Sequence, residues 1–190
     1  MASPLCILVT GPASSGKSEW AEQAAHDTGQ PVTYIATAQR LPDDPEWQAK
    51  IERHRDRRPT HWHTEHIPVT LPAYLAAQTQ ADHCYLIDSL GTWLASWLEA
   101  DEREWFGQVE QLIAAVQNCE GTLIFVAEEV GWGLVPVYPL GRIFRDRLGQ
   151  LVRRLSPHCD AVYLVTGGYA LDLVKLGTPL PPVEELPELR

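Results

Sequence analysis

A single α/β domain with a mostly parallel sheet is predicted by three features of the chain. Apolar runs of strand length recur, and stretches of helical periodicity separate them. The first run also ends in a glycine-rich loop that opens a helix. Leu5 to Thr10 is uninterrupted in its apolar character up to the threonine, as a strand covered on both faces requires. Ser18 to His26 then reads as a helix, and Val32 to Ala36 as a second strand. Tyr85 to Asp88 is a third strand. A helix follows it with Leu90, Trp93, Leu94, Trp97 and Leu98 on one side. Glu102 to Cys119 continues helical through Trp105, Val109, Leu112, Ile113 and Val116. Thr122 to Ala127 is the next strand, Leu140 to Leu155 a helix, and Ala161 to Val165 the last strand. Helices of this length between strands imply crossover connections and parallel neighbours.

Two segments depart from the pattern. Leu41 to Pro72 is rich in proline, histidine and charge, and it reads as an insertion or an extended strand-to-helix connection. From Gly177 the chain turns proline-rich, so the domain is expected over 1–176 with a tail over 177–190.

Composition narrows the possible functions. The 190 residues carry 15 Lys+Arg against 25 Asp+Glu, a net charge of −10. That sign argues against a nucleic-acid coat or an anionic membrane surface. No apolar run approaches the ~20 residues needed to span a bilayer. The Met1–Pro4 start lacks a basic leader region, so a cytoplasmic location is expected. Cys6, Cys84, Cys119 and Cys159 are widely spaced with no C-x-x-C pair, and read as small buried residues rather than zinc ligands.

The most specific local signal is Gly11-Pro12-Ala13-Ser14-Ser15-Gly16-Lys17-Ser18, which matches G-x-x-x-x-G-K-[ST] between a buried strand and a helix. In this motif backbone N–H groups and the positive helix end face phosphate oxygens. Lys17 is expected to reach the β- and γ-phosphates, and the Ser18 hydroxyl to ligate Mg²⁺. Asp88, a carboxylate at the C-terminal end of a strand, is the expected partner for the metal; the alternative is a helix N-cap.

Lys50 to Pro59 concentrates five Lys and Arg residues around His54 in an acidic chain. Arginine forks suit phosphate, although a solvated helix face has the same composition. Positive neighbours disfavour the imidazolium, so His54 is expected to titrate below the usual value of about 6.5 and to be a neutral nucleophile. Glu128 to Pro136 follows a buried strand at the sheet edge where ligands gather. There Glu129 is the candidate carboxylate for activating an acceptor hydroxyl.

Taken in order, LVTGPASSGKSEWAE, YIATAQ, KIERHRDRRPTHWHTEH, LIDSLGTWL, VAEEVGWGLVP and LGRIFRDRLGQLVRRLS cover most of Leu5 to Val165. This series resembles the bifunctional adenosylcobinamide kinase/adenosylcobinamide-phosphate guanylyltransferase family of cobalamin biosynthesis. The resemblance implies a RecA-like phosphate-loop domain, homotrimeric assembly, and two reactions. One moves the γ-phosphoryl of ATP or GTP to adenosylcobinamide. The other moves GMP from GTP, through a guanylylated histidine, to adenosylcobinamide phosphate.

The family's I-x-x-H-[RK]-x-x-R-P pattern falls on Ile51, His54, Arg55, Arg58 and Pro59, making His54 the implied nucleophile. By the same likeness Thr37, Ala38, Gln39, Asp56, Arg57, Arg58, Pro59, Glu65 and Asp88 fall where the family contacts nucleotide. The loop departs from the family's usual GG-x-R-SGKS at Pro12 and Ser14. Two other readings fit the residues: a phosphate-loop kinase of a different small molecule with His54 structural, or a nucleotide-binding regulatory module.

Overall fold

The computed structural model describes residues 5–39, 43–44, 48–49, 52, 55 and 57–181. His54 and Asp56 lie outside the described residues. Seven strands form one sheet: β1 Cys6–Gly11, β2 Val32–Ala36, β3 His63–His66, β4 Cys84–Asp88, β5 Thr122–Glu128, β6 Ala161–Thr166 and β7 Tyr169–Asp172. Their spatial order is β3-β2-β4-β5-β1-β6-β7, parallel except for the antiparallel β6–β7 pair. The helices are α1 Lys17–Asp27, α2 Leu71–Ala76, α3 Leu90–Ala95, α4 Glu102–Asn118, α5 Pro139–Leu155 and α6 Leu173–Leu176. The α/β class expected from the sequence is the one observed.

The continuous apolar strands are explained by two cores. Cys6 and Leu8 of β1, Tyr85 and Ile87 of β4, and Leu123 and Phe125 of β5 point to one face, under α2, α3, α4 and α5. Ile7 and Val9, Leu86, and Ile124 and Val126 point to the other face, where Ala21 and Ala25 of α1 meet them. Central strands bury both sets, so their runs are apolar except towards the strand ends, where Thr10, Asp88 and Glu128 stand.

Several boundaries differ from the periodicity reading. The helical stretch after Asp88 is two helices, because Asp101 caps a fresh start by accepting from Glu104 N. Arg147 of α5 holds the intervening turn, donating to the carbonyls of Trp97 and Ala100. The 41–72 segment contains a strand, β3, paired in register with β2 from Thr33↔His63 to Ala36↔His66. Cys6, Cys84 and Cys119 are buried, with Cys159 half-buried. No described helix is long and apolar enough to cross a membrane.

Candidate functional site

The site forms where the C-terminal ends of β1, β2, β4 and β5 meet the start of α1. Gly11 closes β1, and its neighbours leave no room for a side chain: a Cβ there would lie 2.3 Å from Val165 O and 2.7 Å from Ser15 Oγ. Ser14 and Gly16 both take positive φ, +59° and +89°, around Ser15. Alternation of this kind turns successive N–H groups into an anion-binding concavity. Trp20 N donates to Gly16 O at 2.9 Å, so helical bonding starts immediately behind the loop. The Lys17 ammonium lies 3.3 Å from Pro12 O and thus folds back over the loop. Gly11→Ala is expected to cost about 1–3 kcal/mol through overpacking and to weaken nucleotide binding with it. Thermal melts and nucleotide titration check both effects.

Asp88 ends β4, two strands from β1, and accepts a hydrogen bond from Tyr34 OH at 2.8 Å. Burial raises the Tyr34 phenol well above its usual value, and the adjacent Asp88 carboxylate adds to the shift. The helix-cap alternative for Asp88 is taken by its neighbour: Ser89 caps α3, accepting from Thr92 N. Arg58 lies with its guanidinium carbon 3.3 Å from the centre of the Tyr34 ring. Arg57 pairs with Glu19 and Glu22 of α1, each at 2.9 Å. Burial raises the Glu22 carboxyl above its usual value, and the Arg57 hydrogen bond opposes that shift. These contacts hold Arg57 against α1, the helix that follows the phosphate loop, and Arg58 against Tyr34 of β2.

Three of the five buried side-chain polar atoms lacking a partner among the described residues are Thr10 Oγ1, Ser15 Oγ and Arg58 Nε. Buried polar groups are nearly always paired, so the unpaired hydroxyls of Thr10 and Ser15, at and within the anion-binding loop, fit a site completed by phosphate. The donor set also fits Mg²⁺: a hydroxyl, Ser18, and one carboxylate, Asp88, with phosphate and water supplying the rest.

The matching family model, described as cobinamide kinase/cobinamide phosphate guanyltransferase, covers residues 7–173. The chain belongs to this family. Among its relatives, the bifunctional adenosylcobalamin biosynthesis protein CobP of Pseudomonas aeruginosa is 37% identical over 174 residues, 91% of this chain and 98% of that one. The bifunctional protein CobU of Salmonella typhimurium is 37% identical over 183 residues, 89% and 99% of the two chains. A solved protein of Pyrococcus horikoshii shares the fold at 7% identity, with a TM-score of 0.58 over 97% of this chain and 96% of its own.

Within this family member, the other residues expected at the site have visible partners. Thr37 is fully buried, and its hydroxyl donates to Ser89 O at 2.6 Å and accepts from Ser89 N at 2.8 Å. It ties the end of β2 to the β4–α3 junction. Ala38 O accepts from the His66 ring at 2.6 Å, and Gln39 Nε2 donates to Ser96 Oγ at 3.0 Å. Glu65 meets His63 at 2.7 Å on the edge strand β3. Pro59 O accepts from Trp62 N, whose side chain is buried in the core on the α1 face.

Glu128, not Glu129, faces α3: its carboxylate accepts from Ser89 Oγ at 2.5 Å and Gly91 N at 3.1 Å. Glu129 N donates to Gly11 O at 2.8 Å, which fixes the following loop beside the phosphate cradle. Of three tryptophans near these elements, Trp93 is fully buried, Trp97 is packed against the core, and Trp132 is 62% exposed. Sequence reasoning missed Tyr34, Glu19 and Glu22. Tyr34 opens the YIATAQ segment, and the two acids lie in the first turns behind the loop, but only folding shows what they hold.

Proposed function

We propose that this chain phosphorylates adenosylcobinamide with ATP or GTP and then guanylylates the product through His54. The observation that carries this reading is the pairing of Arg57 with Glu19 and Glu22 of α1, directly behind the phosphate loop, with Arg58 beside it on Tyr34, the partner of Asp88. In the kinase step the loop N–H groups and Lys17 hold the β- and γ-phosphates, and the acceptor hydroxyl attacks the γ-phosphorus. Ser18 and Asp88 would hold Mg²⁺, which neutralises charge on those phosphates when bound. Glu129 takes the proton of the acceptor hydroxyl.

In the transferase step a neutral His54 ring nitrogen attacks the α-phosphorus of GTP. A P–N bond forms, the Pα–O bond to the β-phosphate breaks, and pyrophosphate leaves with the electron pair. A phosphate oxygen of adenosylcobinamide phosphate then attacks the same phosphorus, the P–N bond breaks, and the imidazole is restored. Arg57, Arg58 and the neighbouring Asp56 and Pro59 orient the nucleotide, as do Thr37, Ala38, Gln39 and Glu65 at the end of β2 and on β3. Homotrimeric assembly in the cytoplasm belongs to the same reading. It is supported by apolar surface that a subunit contact would cover: Leu134, Val137 and Tyr138 are 97%, 89% and 71% exposed.

Incubation with α-labelled GTP and Mg²⁺ is expected to leave acid-labile, alkali-stable label on the wild-type protein and none on His54→Ala. His54→Ala is expected to retain kinase activity. Label that persists in the variant, or never forms on the wild type, overturns the histidine step.

A further inference from the structure

Beside the phosphate loop, on the far side of Glu129, a cavity of about 440 Å³ opens between the β5–α5 connection and α5. Glu128, Glu129, Gly131, Arg145, Asp146, Gly149 and Arg153 contribute to its wall. Glu129 N bonds Gly11 O, so this wall shares a residue with the end of the phosphate cradle. Arg145 Nη2 donates to Gly131 O at 2.8 Å, and Gly131 N donates to Glu129 Oε1 at 2.6 Å. These bonds brace the loop against the helix and hold the cavity open.

Two properties narrow what fits. The volume lies in the range of small-ligand pockets and well below that of a whole corrinoid. The wall mixes three carboxylates with two guanidiniums, so it offers donors and acceptors without the excess positive charge that a second nucleotide would require. Gly149 adds a third observation. It sits inside α5, where glycine is poorer than alanine, yet a Cβ there would meet nothing within 4 Å. The wall faces open space at this point, so a longer side chain there would extend into the cavity.

Building on the proposed function, we infer that this cavity receives the neutral amino-alcohol arm of the acceptor. The arm's hydroxyl then points across Glu129 to the phosphate loop, and the macrocycle stays outside. Trp132, next in the chain to Gly131 and 62% exposed, gives the macrocycle an aromatic neighbour at that mouth.

The test compares wild type, Gly149→Ala and Gly149→Leu, using adenosylcobinamide as the acceptor. Gly149→Leu is expected to raise the KM for adenosylcobinamide at least about ten-fold, the equivalent of one lost contact of ordinary strength. Its Kd for GTP should stay within about two-fold of wild type, a shift well under that of a lost contact. Both variants should melt at or above the wild-type temperature and keep its solution mass. An unchanged acceptor KM in Gly149→Leu overturns the inference, as does a nucleotide Kd that moves in parallel with it. A changed solution mass also overturns it, since a second copy of the chain would then be the occupant. A wild type that turns over no adenosylcobinamide refutes the proposed function instead.

Discussion

Lys17→Ala is expected to lower phosphoryl transfer to adenosylcobinamide by roughly 10²–10³-fold, the usual loss when one charge-stabilising donor leaves a reacting group. The ammonium is the one mobile positive charge that the loop itself supplies, and it rests 3.3 Å from Pro12 O above the cradle. Ser14 stands where the family commonly has an arginine, so the loop holds no second cation to take over. Stability should hardly change, because the side chain makes a single weak contact with the fold. Steady-state kinetics with ATP and with GTP, alongside a thermal melt, separate the two effects. Activity within a few-fold of wild type would show that the loop does not carry the transfer. Lys17→Arg is expected to rescue little, since a planar fork does not replace a compact point charge.

Trp93→Ala is expected to be the most damaging single core change, at about 3–5 kcal/mol for deleting a buried tryptophan. The residue is fully buried, packs against Trp105 with ring centres 5.4 Å apart, and donates its indole N–H to Val69 O at 3.1 Å. Truncation empties the space between α3 and α4 and leaves the Val69 carbonyl unpaired. For a domain of this size the melting temperature should fall by roughly 6–20 °C. Trp93→Phe keeps most of the volume and loses the hydrogen bond, so its cost should be nearer 1–3 kcal/mol. A Trp93→Ala protein that melts with the wild type would remove Trp93 from the core.

The resemblance of the motif series and the family membership agree over nearly the same residues, Leu5 to Val165 against 7–173. The phosphate loop was legible because its chemistry is local: eight consecutive residues, a strand before and a helix after. Asp88 was legible for a related reason, as a carboxylate that closes an apolar run. The partners of these residues were not. Arg57 reaches Glu19 across 38 positions, and Tyr34 reaches Asp88 across 54. No periodicity links residues so far apart in the chain.

The strand β7 shows the opposite case, a signal present and unread. Gly167 and Gly168, at φ +59° and +82°, join Thr166 to its partner Tyr169 in a two-residue hairpin turn, which a glycine pair between strands favours. The strand β3 had no such signal. His-Thr-Glu-His carries no apolar alternation, and it becomes a strand only because the edge of β2 offers it hydrogen bonds.

The sequence by itself determined the class of the fold, the phosphate loop and the family, since each is written in short contiguous patterns of apolarity, glycine and charge. The tertiary structure alone decided which of two adjacent carboxylates, Glu128 or Glu129, is held by the start of α3. It also decided that Thr37 is spent on the β4–α3 junction. One step along a strand sends a side chain to the opposite side of the sheet, and what waits on each side depends on elements distant in the chain.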